Sequence, residues 1–160
     1  MASSDTPSGT PTPSNSPVLF AYDGCGLAKL AIERAGRELA PGRDALIVCV
    51  WQTNDVGFVA PDERHLKAGD AAAVRAAAEE TAAHGASLAE AAGFRPESIA
   101  IAAAPTWKGI VEVAEERGAS LIVLGAHRRS GLAGHLLGSV TAAVVAHTAR
   151  SVLIVHSQQQ

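Results

Sequence analysis

Short apolar runs alternate with segments of helical periodicity along most of the chain. The apolar runs that predict strands are Val18–Tyr22, Ala45–Trp51, Ser98–Ala103, Leu121–Leu124 and Ser151–His156. The periodic segments that predict helices are Leu27–Leu39, Asp70–Ala92, a third from Pro105-Thr106 to Arg117-Gly118, and Val140–His147. This alternation predicts an α/β fold, a doubly wound, five-stranded parallel sheet with helices on both faces, as in Rossmann-like proteins.

The predicted core follows from the same pattern. The run Ala45–Trp51 is apolar at odd and even positions alike, which is typical of a strand covered on both sides. The segment Gln52–Gly69 is a looser connection. The helix positions that we expect to face inward are Val74, Ala78, Thr81 and Leu88 in the long helix, and Ile110, Val113 and Ala114 in the next.

The first 17 residues have a different composition, rich in Ser, Thr and Pro. Such a segment buries too little apolar surface to offset its ordering entropy, so we predict a disordered tail, 1–17, before one domain, 18–157. The tail has neither a basic n-region nor an apolar h-region, and we do not expect it to be a secretory signal. No apolar stretch reaches the ~20 residues of a bilayer span, so no membrane association is expected.

Composition narrows the class of function. The 160-residue chain is 48% hydrophobic with only 4% aromatic residues, which predicts a finely packed aliphatic core. A net charge of -3 gives no general attraction for nucleic acid. Cys25 and Cys49 have neither metal-site spacing nor a disulfide framework, so a reducing cytoplasm is the simplest location.

Candidate chemistry lies at the ends of the first and fourth predicted strands, because open α/β sheets bind ligands outside the carboxyl ends of their strands. If these strands are neighbours, Asp23 meets the segment from Gly125 to Ser139. Gly125 would let the backbone leave the strand with unusual dihedral angles and admit a ligand. Gly138-Ser139 would present N–H groups and a hydroxyl to a phosphate at a helix N-terminus, and Asp23 would accept hydrogen bonds from a ribose.

Each of these residues also has a purely structural interpretation. Gly125 could form an ordinary turn, Gly138-Ser139 an ordinary N-cap, and Asp23 the cap of the first helix. Cys25 lies near the same helix N-terminus, where a thiol pKa can fall, although a small, partly buried thiol is the simpler interpretation. His127 and the other histidines are interpreted as solvated side chains, because no second metal ligand has suitable spacing.

Sequence motifs argue against a dedicated enzyme. The dinucleotide fingerprint begins at Gly24-Cys25-Gly26, but Lys29 stands where its third glycine belongs. No G-x-x-x-x-G-K-[ST] loop or G-x-S-x-G elbow occurs in the chain.

The strand Val18–Tyr22 with Asp23-Gly24, followed by the Gly125 loop and Gly138-Ser139, resembles the universal stress protein family. Nucleotide-binding members carry a glycine, two residues, a second glycine, nine residues and then Gly-Ser or Gly-Thr. Gly125 and Gly138-Ser139 match this motif at the right distance, whereas Arg128 replaces the second glycine. Its side chain occupies space near the phosphates but also adds an attractive positive charge.

The resemblance implies a stress-response regulatory protein of the adenine nucleotide alpha hydrolase-like fold that binds an adenine nucleotide, most simply ATP with Mg²⁺, and at most hydrolyses ATP slowly. Asp23 and Ala21 would meet the ribose, Val50 the adenine, and Leu124 the base or sugar, while the phosphates would meet Gly125, Arg128, Gly138, Ser139 and Val140. It also implies a homodimer, and the apolar terminal strand 151–156 is the edge that pairing would cover. The alternative is a nucleotide-independent, dimeric protein-interaction module in which Arg128 closes the pocket.

Overall fold

A computed structural model describes residues 15–52, 71–126 and 138–157 of the protein. In chain order the elements are β1 Val18–Ala21, α1 Gly26–Glu38, β2 Asp44–Trp51, α2 Ala71–Ala91, β3 Arg95–Ala102, α3 Thr106–Glu116, β4 Leu121–Ala126, α4 Ser139–His147 and β5 Ser151–His156. The order of strands and helices predicted from the sequence is therefore confirmed. None of the helices in these ranges combines the length and hydrophobicity needed to cross a membrane.

The five strands form one parallel sheet in the order β3-β2-β1-β4-β5. The chain builds outward from β1 to β3, then crosses back to place β4 on the other side of β1. The strand order thus reverses between β1 and β4, and this is the position at which open α/β sheets bind ligands. The predicted site required the first and fourth strands to be neighbours, and in the structure they are.

Each face of the sheet is covered by two helices. Residues of α1 and α2 pack on one face, against side chains that include Phe20, Ile47 and Val123. Residues of α3 and α4 pack on the other face, against Leu19 and Ile122 among others. Burial on both faces explains why the central strands read as continuous apolar runs rather than as alternating ones.

Five strand boundaries differ from the prediction. β2 begins one residue earlier, at Asp44, and β3 ends one residue earlier, at Ala102. β1 ends at Ala21, one residue early, although the Tyr22 N–H still donates to the Val48 carbonyl oxygen at 2.9 Å. β3 begins at Arg95 rather than Ser98, because residues from Arg95 onward already pair with β2. β4 continues to Ala126, since Gly125 and Ala126 pair with β5. Of these residues, Arg95, Pro96 and Glu97 lack an apolar signal and belong to the strand through backbone pairing with β2.

Helix positions agree more closely. Val74, Ala78 and Thr81 of α2 are buried as predicted, and so are Ile110, Val113 and Ala114 of α3. Leu88 is only partly buried, and Gly85 and Ala89 occupy the inward positions at the end of α2. Because Gly85 and Ala89 are small, they let the end of α2 lie close to the sheet.

Candidate functional site

A cavity of about 170 Å³ lies at the carboxyl ends of β1, β2 and β4, on the α3 and α4 side of the sheet. Of the nine predicted nucleotide-binding residues, six line it: Ala21, Asp23, Val50, Leu124, Gly125 and Val140. This volume is below the roughly 300–1,000 Å³ of typical small-molecule sites. The cavity formed by the described residues could therefore hold only part of a molecule as large as a nucleotide.

The floor of the cavity is apolar and its rim is polar. Strand side chains that face α3 and α4 form the floor, among them Val48, Val50 and Leu124. The polar groups come from the turn after β1 and from the first turns of α3 and α4. Apolar walls with a few placed polar groups are typical of a site for a flat heterocycle with polar substituents.

Asp23 lies at the end of β1 but does not cap α1. Its Oδ1 accepts a hydrogen bond from the Cys25 N–H at 3.0 Å, which closes a turn. The N-cap is Cys25, whose Sγ accepts from the Ala28 N–H at 3.4 Å. The interpretation of Asp23 as the helix cap is therefore wrong, because the chain needs the turn before the helix can begin. A carboxylate has acceptor sites for more than one donor, so Asp23 can still accept from a ribose hydroxyl.

The thiol of Cys25 lines the same cavity, and its pKa is raised rather than lowered. Burial is the largest cause, and the hydrogen bond to the Asp23 carboxylate is the next. Burial also raises the pKa of Cys49 to about 12, with Asp23 as a smaller cause. Both cysteines are free, and both are held as neutral thiols. The lowered pKa considered for Cys25 from its position near a helix N-terminus is wrong.

Gly125 serves close packing rather than an unusual turn. It lies within β4 and is not among the glycines with positive φ, so the expected strand-to-loop conformation is wrong. A Cβ at this position would lie 2.9 Å from both Cγ and the carbonyl oxygen of Leu27. Only glycine lets the first turn of α1 pack directly on β4, and this contact places Cys25 and Ala28 at the cavity.

The phosphate end of the predicted site is the N-terminus of α4. Gly138 is its N-cap residue, and the first helical hydrogen bond runs from the Ala142 N–H to the Gly138 carbonyl oxygen at 2.9 Å. The N–H groups of Ser139 and Val140 precede that bond, so no hydrogen bond within the helix uses them, and such groups are the usual donors to an anion at a helix N-terminus. Ser139 is the first helical residue, one position before the predicted start. Arg128 lies outside the described residues.

Two threonines that line the cavity were missed by the sequence analysis. Thr106 is the first residue of α3, and Thr141 lies in the first turn of α4. The signal for Thr106 was its position just after β3, at the same edge of the sheet as Asp23. Thr141 reads as a core position, and its side chain is indeed buried. Among the described residues, no three His, Cys, Asp or Glu side chains could share a metal ion.

Comparison with known proteins agrees with this geometry. The model of the universal stress protein family matches residues 15–156. The chain belongs to the universal stress protein family. A universal stress protein of Mycobacterium tuberculosis is 35% identical over 155 residues, which is 92% of this chain and 48% of that protein. The chain therefore spans about half the length of the curated relatives it matches.

Solved structures of the family share the fold. A universal stress protein in complex with cyclic AMP is 27% identical, with a TM-score of 0.61 over 89% of this chain and 98% of that chain. A universal stress protein from Archaeoglobus fulgidus is 21% identical, with a TM-score of 0.63 over 87% of this chain and 92% of that chain. The likeness to the second structure concerns the fold alone.

Proposed function

We propose that this universal stress protein binds an adenine nucleotide, most simply ATP, at the carboxyl ends of β1 and β4. The observation that supports the proposal is the order of groups across the sheet. Val50 on β2 forms an apolar wall, Asp23 follows on β1, and the N-terminus of α4 lies beyond β4. This order matches that of base, ribose and phosphates in a nucleotide.

The chemistry of each group fits its assigned part. Burial against Val48 and Val50 would lower the free energy of a bound base by removing its apolar surface from water. A ribose hydroxyl can donate to the Asp23 carboxylate. The phosphates gain from the N–H groups and the dipole at the start of α4. A carboxylate would repel phosphate, so the position of Asp23 between the two ends favours this orientation. The relative solved with cyclic AMP adds support from within the family.

Bound Mg²⁺ is proposed to be held through the phosphates, because this small, hard cation is commonly shared between nucleotide oxygens and few protein ligands. The protein is then proposed to act as a cytoplasmic regulator whose stability or partner choice depends on nucleotide. A ligand that binds only the folded state adds about 2.7 kcal/mol at one hundred times its Kd. This corresponds to a rise in Tm of roughly 5–11 °C for a domain of this size.

Thermal shift measurements with ATP, ADP, AMP and cyclic AMP, with and without Mg²⁺, test the proposal directly. Absence of any shift at millimolar nucleotide would contradict it and favour the nucleotide-independent interaction module. The variant Arg128→Gly separates the two effects of that side chain. Tighter binding would show that Arg128 obstructs the phosphates, and weaker binding would show that it attracts them.

Gly138→Ala probes the phosphate contact itself. A Cβ at Gly138 would meet nothing within 4 Å, and φ is -55°, so the fold accepts alanine there. We expect weaker nucleotide binding with an unchanged Tm of the ligand-free protein. Gly26→Ala is the matched control, because Gly26 has equally open surroundings and lies at the start of α1 rather than at the proposed phosphate end of α4. Equal affinities of the two variants would argue against phosphate binding at α4.

We also propose a homodimer in which strand 151–156 pairs with its twofold mate. A groove of about 790 Å³ runs beside β5, between its side chains and Arg34, Glu38 and Leu39 of α1. Val152, Leu153 and Ile154 are only partly buried in one copy. Antiparallel pairing of the two β5 strands would give hydrogen-bond partners to the unpaired N–H and carbonyl groups of this edge strand. It would also cover these apolar side chains.

A further inference from the structure

The groove beside β5 is lined by charged side chains as well as by apolar ones. Arg34 and Glu38 of α1 line it together with Leu39 and with residues of β5. Arg34 is half-buried, and Glu38 is exposed. A cation and an anion therefore stand in the groove that the proposed second copy would cover.

Arg34 and Glu38 do not pair with each other. They lie four residues apart on α1, with the basic residue first, yet in the described part of the chain no ion pair involves either of them. The same order and spacing does form an ion pair on α2, where Arg75 Nε lies 2.9 Å from Oε1 of Glu79, and α3 carries a similar pair. One copy of the chain therefore leaves both charges in the groove without an ionic partner.

The proposed twofold axis passes close to these charges. In an antiparallel pair of identical strands the axis crosses the middle of the strand, which for β5 lies at Leu153 and Ile154. Leu39 and Leu153 line the groove together and pack on the same core cluster, so the C-terminal half of α1 lies beside the middle of β5. Pairing that continues the sheet also keeps both copies of α1 on the same face. The two C-terminal halves therefore flank the axis.

The direction of the two helices makes the charges complementary. Because the strands pair antiparallel, the two copies of α1 also run in opposite directions on either side of the axis. This arrangement sets Arg34 of one protomer toward Glu38 of its partner, and symmetry repeats the contact with the roles exchanged. Helices running in the same direction would instead oppose like charges.

We propose that Arg34 and Glu38 form two reciprocal ion pairs across the seam between the β5 strands, and that these pairs select a second copy of this chain as the partner. The proposal rests on the homodimer proposed above and does not depend on nucleotide binding. An apolar edge strand by itself accepts other apolar edges. Charges beside the seam reject a partner that presents like charges there, and so supply the specificity.

Reversal of single charges tests the ion pairs. In Arg34→Glu both positions are acidic, and in Glu38→Arg both are basic, so each variant opposes like charges at two places. We expect the dimer dissociation constant of either variant to rise roughly 5- to 100-fold in sedimentation velocity, because two attractions between partly exposed charges become two repulsions. The combined variant, Arg34→Glu with Glu38→Arg, should recover the wild-type dissociation constant, since opposite charges face each other again.

Mixtures of the variants separate partner choice from stability. A mixture of Arg34→Glu with Glu38→Arg should form mostly the heterodimer in native mass spectrometry, beyond the half expected for random exchange. A mixture of the combined variant with wild-type protein should form fewer heterodimers than random exchange, because like charges would meet in both contacts.

Arg75→Glu is the matched control. It makes the same change in net charge on α2, which packs against β2 and β3 on the other side of the sheet from β5. It should leave the dimer dissociation constant unchanged, with the fold of every variant checked by circular dichroism. An equal weakening in this control and in both single variants would contradict the ion pairs, because net charge alone would explain it.

The outcomes separate this proposal from the one on which it rests. A wild-type monomer at micromolar concentration would overturn the β5 dimer and the ion pairs with it. A wild-type dimer whose dissociation constant is unchanged in both single variants would overturn the ion pairs alone. Random exchange in both mixtures would do the same.

Discussion

The two edges of the sheet are built in opposite ways. At one edge, β3 begins with Arg95, Pro96, Glu97 and Ser98, all of them exposed except the half-buried proline. At the other edge, β5 presents Val152, Leu153 and Ile154, all partly exposed and apolar. Charged residues and proline are the features that prevent an edge strand from pairing with another chain, and β5 has none of them between Val152 and Val155.

Ion pairs strengthen the protection of β3. Arg95 Nε lies 2.9 Å from Oδ1 of Asp44 on the neighbouring strand, and Arg117 at the end of α3 pairs with Glu97. On β5, Leu153 and Val155 instead pack toward α1, while Val152 packs toward α3 and α4. This difference between the two edges is the observation that supports the proposed pairing of β5 with its twofold mate.

The largest effect is expected from a charge on β5. Ile154→Lys should convert the proposed dimer to a monomer and weaken association at least about a hundredfold, because an unpaired buried charge costs about 3–5 kcal/mol. Sedimentation velocity at micromolar protein measures the mass. Ser98→Lys adds the same side chain to β3 and should leave the mass unchanged. A wild-type monomer at that concentration would contradict the pairing outright.

A smaller effect is expected when the protection of β3 is removed. In Pro96→Val combined with Glu97→Val, the strand gains an N–H donor and loses its charge, so it resembles β5 more closely. We expect species larger than the dimer, whose fraction grows with protein concentration in sedimentation velocity. Glu97→Gln alone keeps a polar edge and should not associate further. If the double variant keeps the wild-type mass, the residues at the start of β3 do not protect that edge.

The smallest effect concerns the ion pair between Arg117 and Glu97. Both side chains are well exposed, at 41% and 55% of their surface, so solvent screens the attraction. Arg117→Met should lower the free energy of unfolding by less than about 1 kcal/mol in urea denaturation. Lys108→Met, at the similarly exposed pair with Glu112, is the control. A much larger loss at Arg117 alone would mean that this pair stabilises the edge beyond its screened attraction.

Most of the fold could be predicted from the sequence, because burial on both faces of a parallel sheet leaves a plain signal in the central strands. β2 was predicted to within one residue. The edge strand β3 was predicted to begin three residues too late, since Arg95, Pro96 and Glu97 belong to the strand through backbone pairing with β2. Hydrophobic periodicity reports side-chain burial and carries no information on a polar residue held by main-chain hydrogen bonds.

The candidate site was predicted in part. Asp23 was predicted from its position at a strand end, and Val50, Leu124 and Val140 from the family resemblance. The structure brings all four to one cavity. Their contacts with a nucleotide stay a prediction. Thr106 was missed, because its position at the cavity depends on how α3 packs on the sheet. A local pattern cannot show which distant side chains meet across two layers of the fold.

The sequence by itself determined the order of strands and helices, the apolar character of the central sheet, and the polar residues that follow β1 and precede α4. These properties are local, since each depends on the burial or conformation of a short segment. Only the tertiary structure decided why Gly125 is glycine, which residue caps α1, and that Gln52 bonds to Thr106. Each of these depends on the distance between segments far apart in the chain, and packing alone sets that distance.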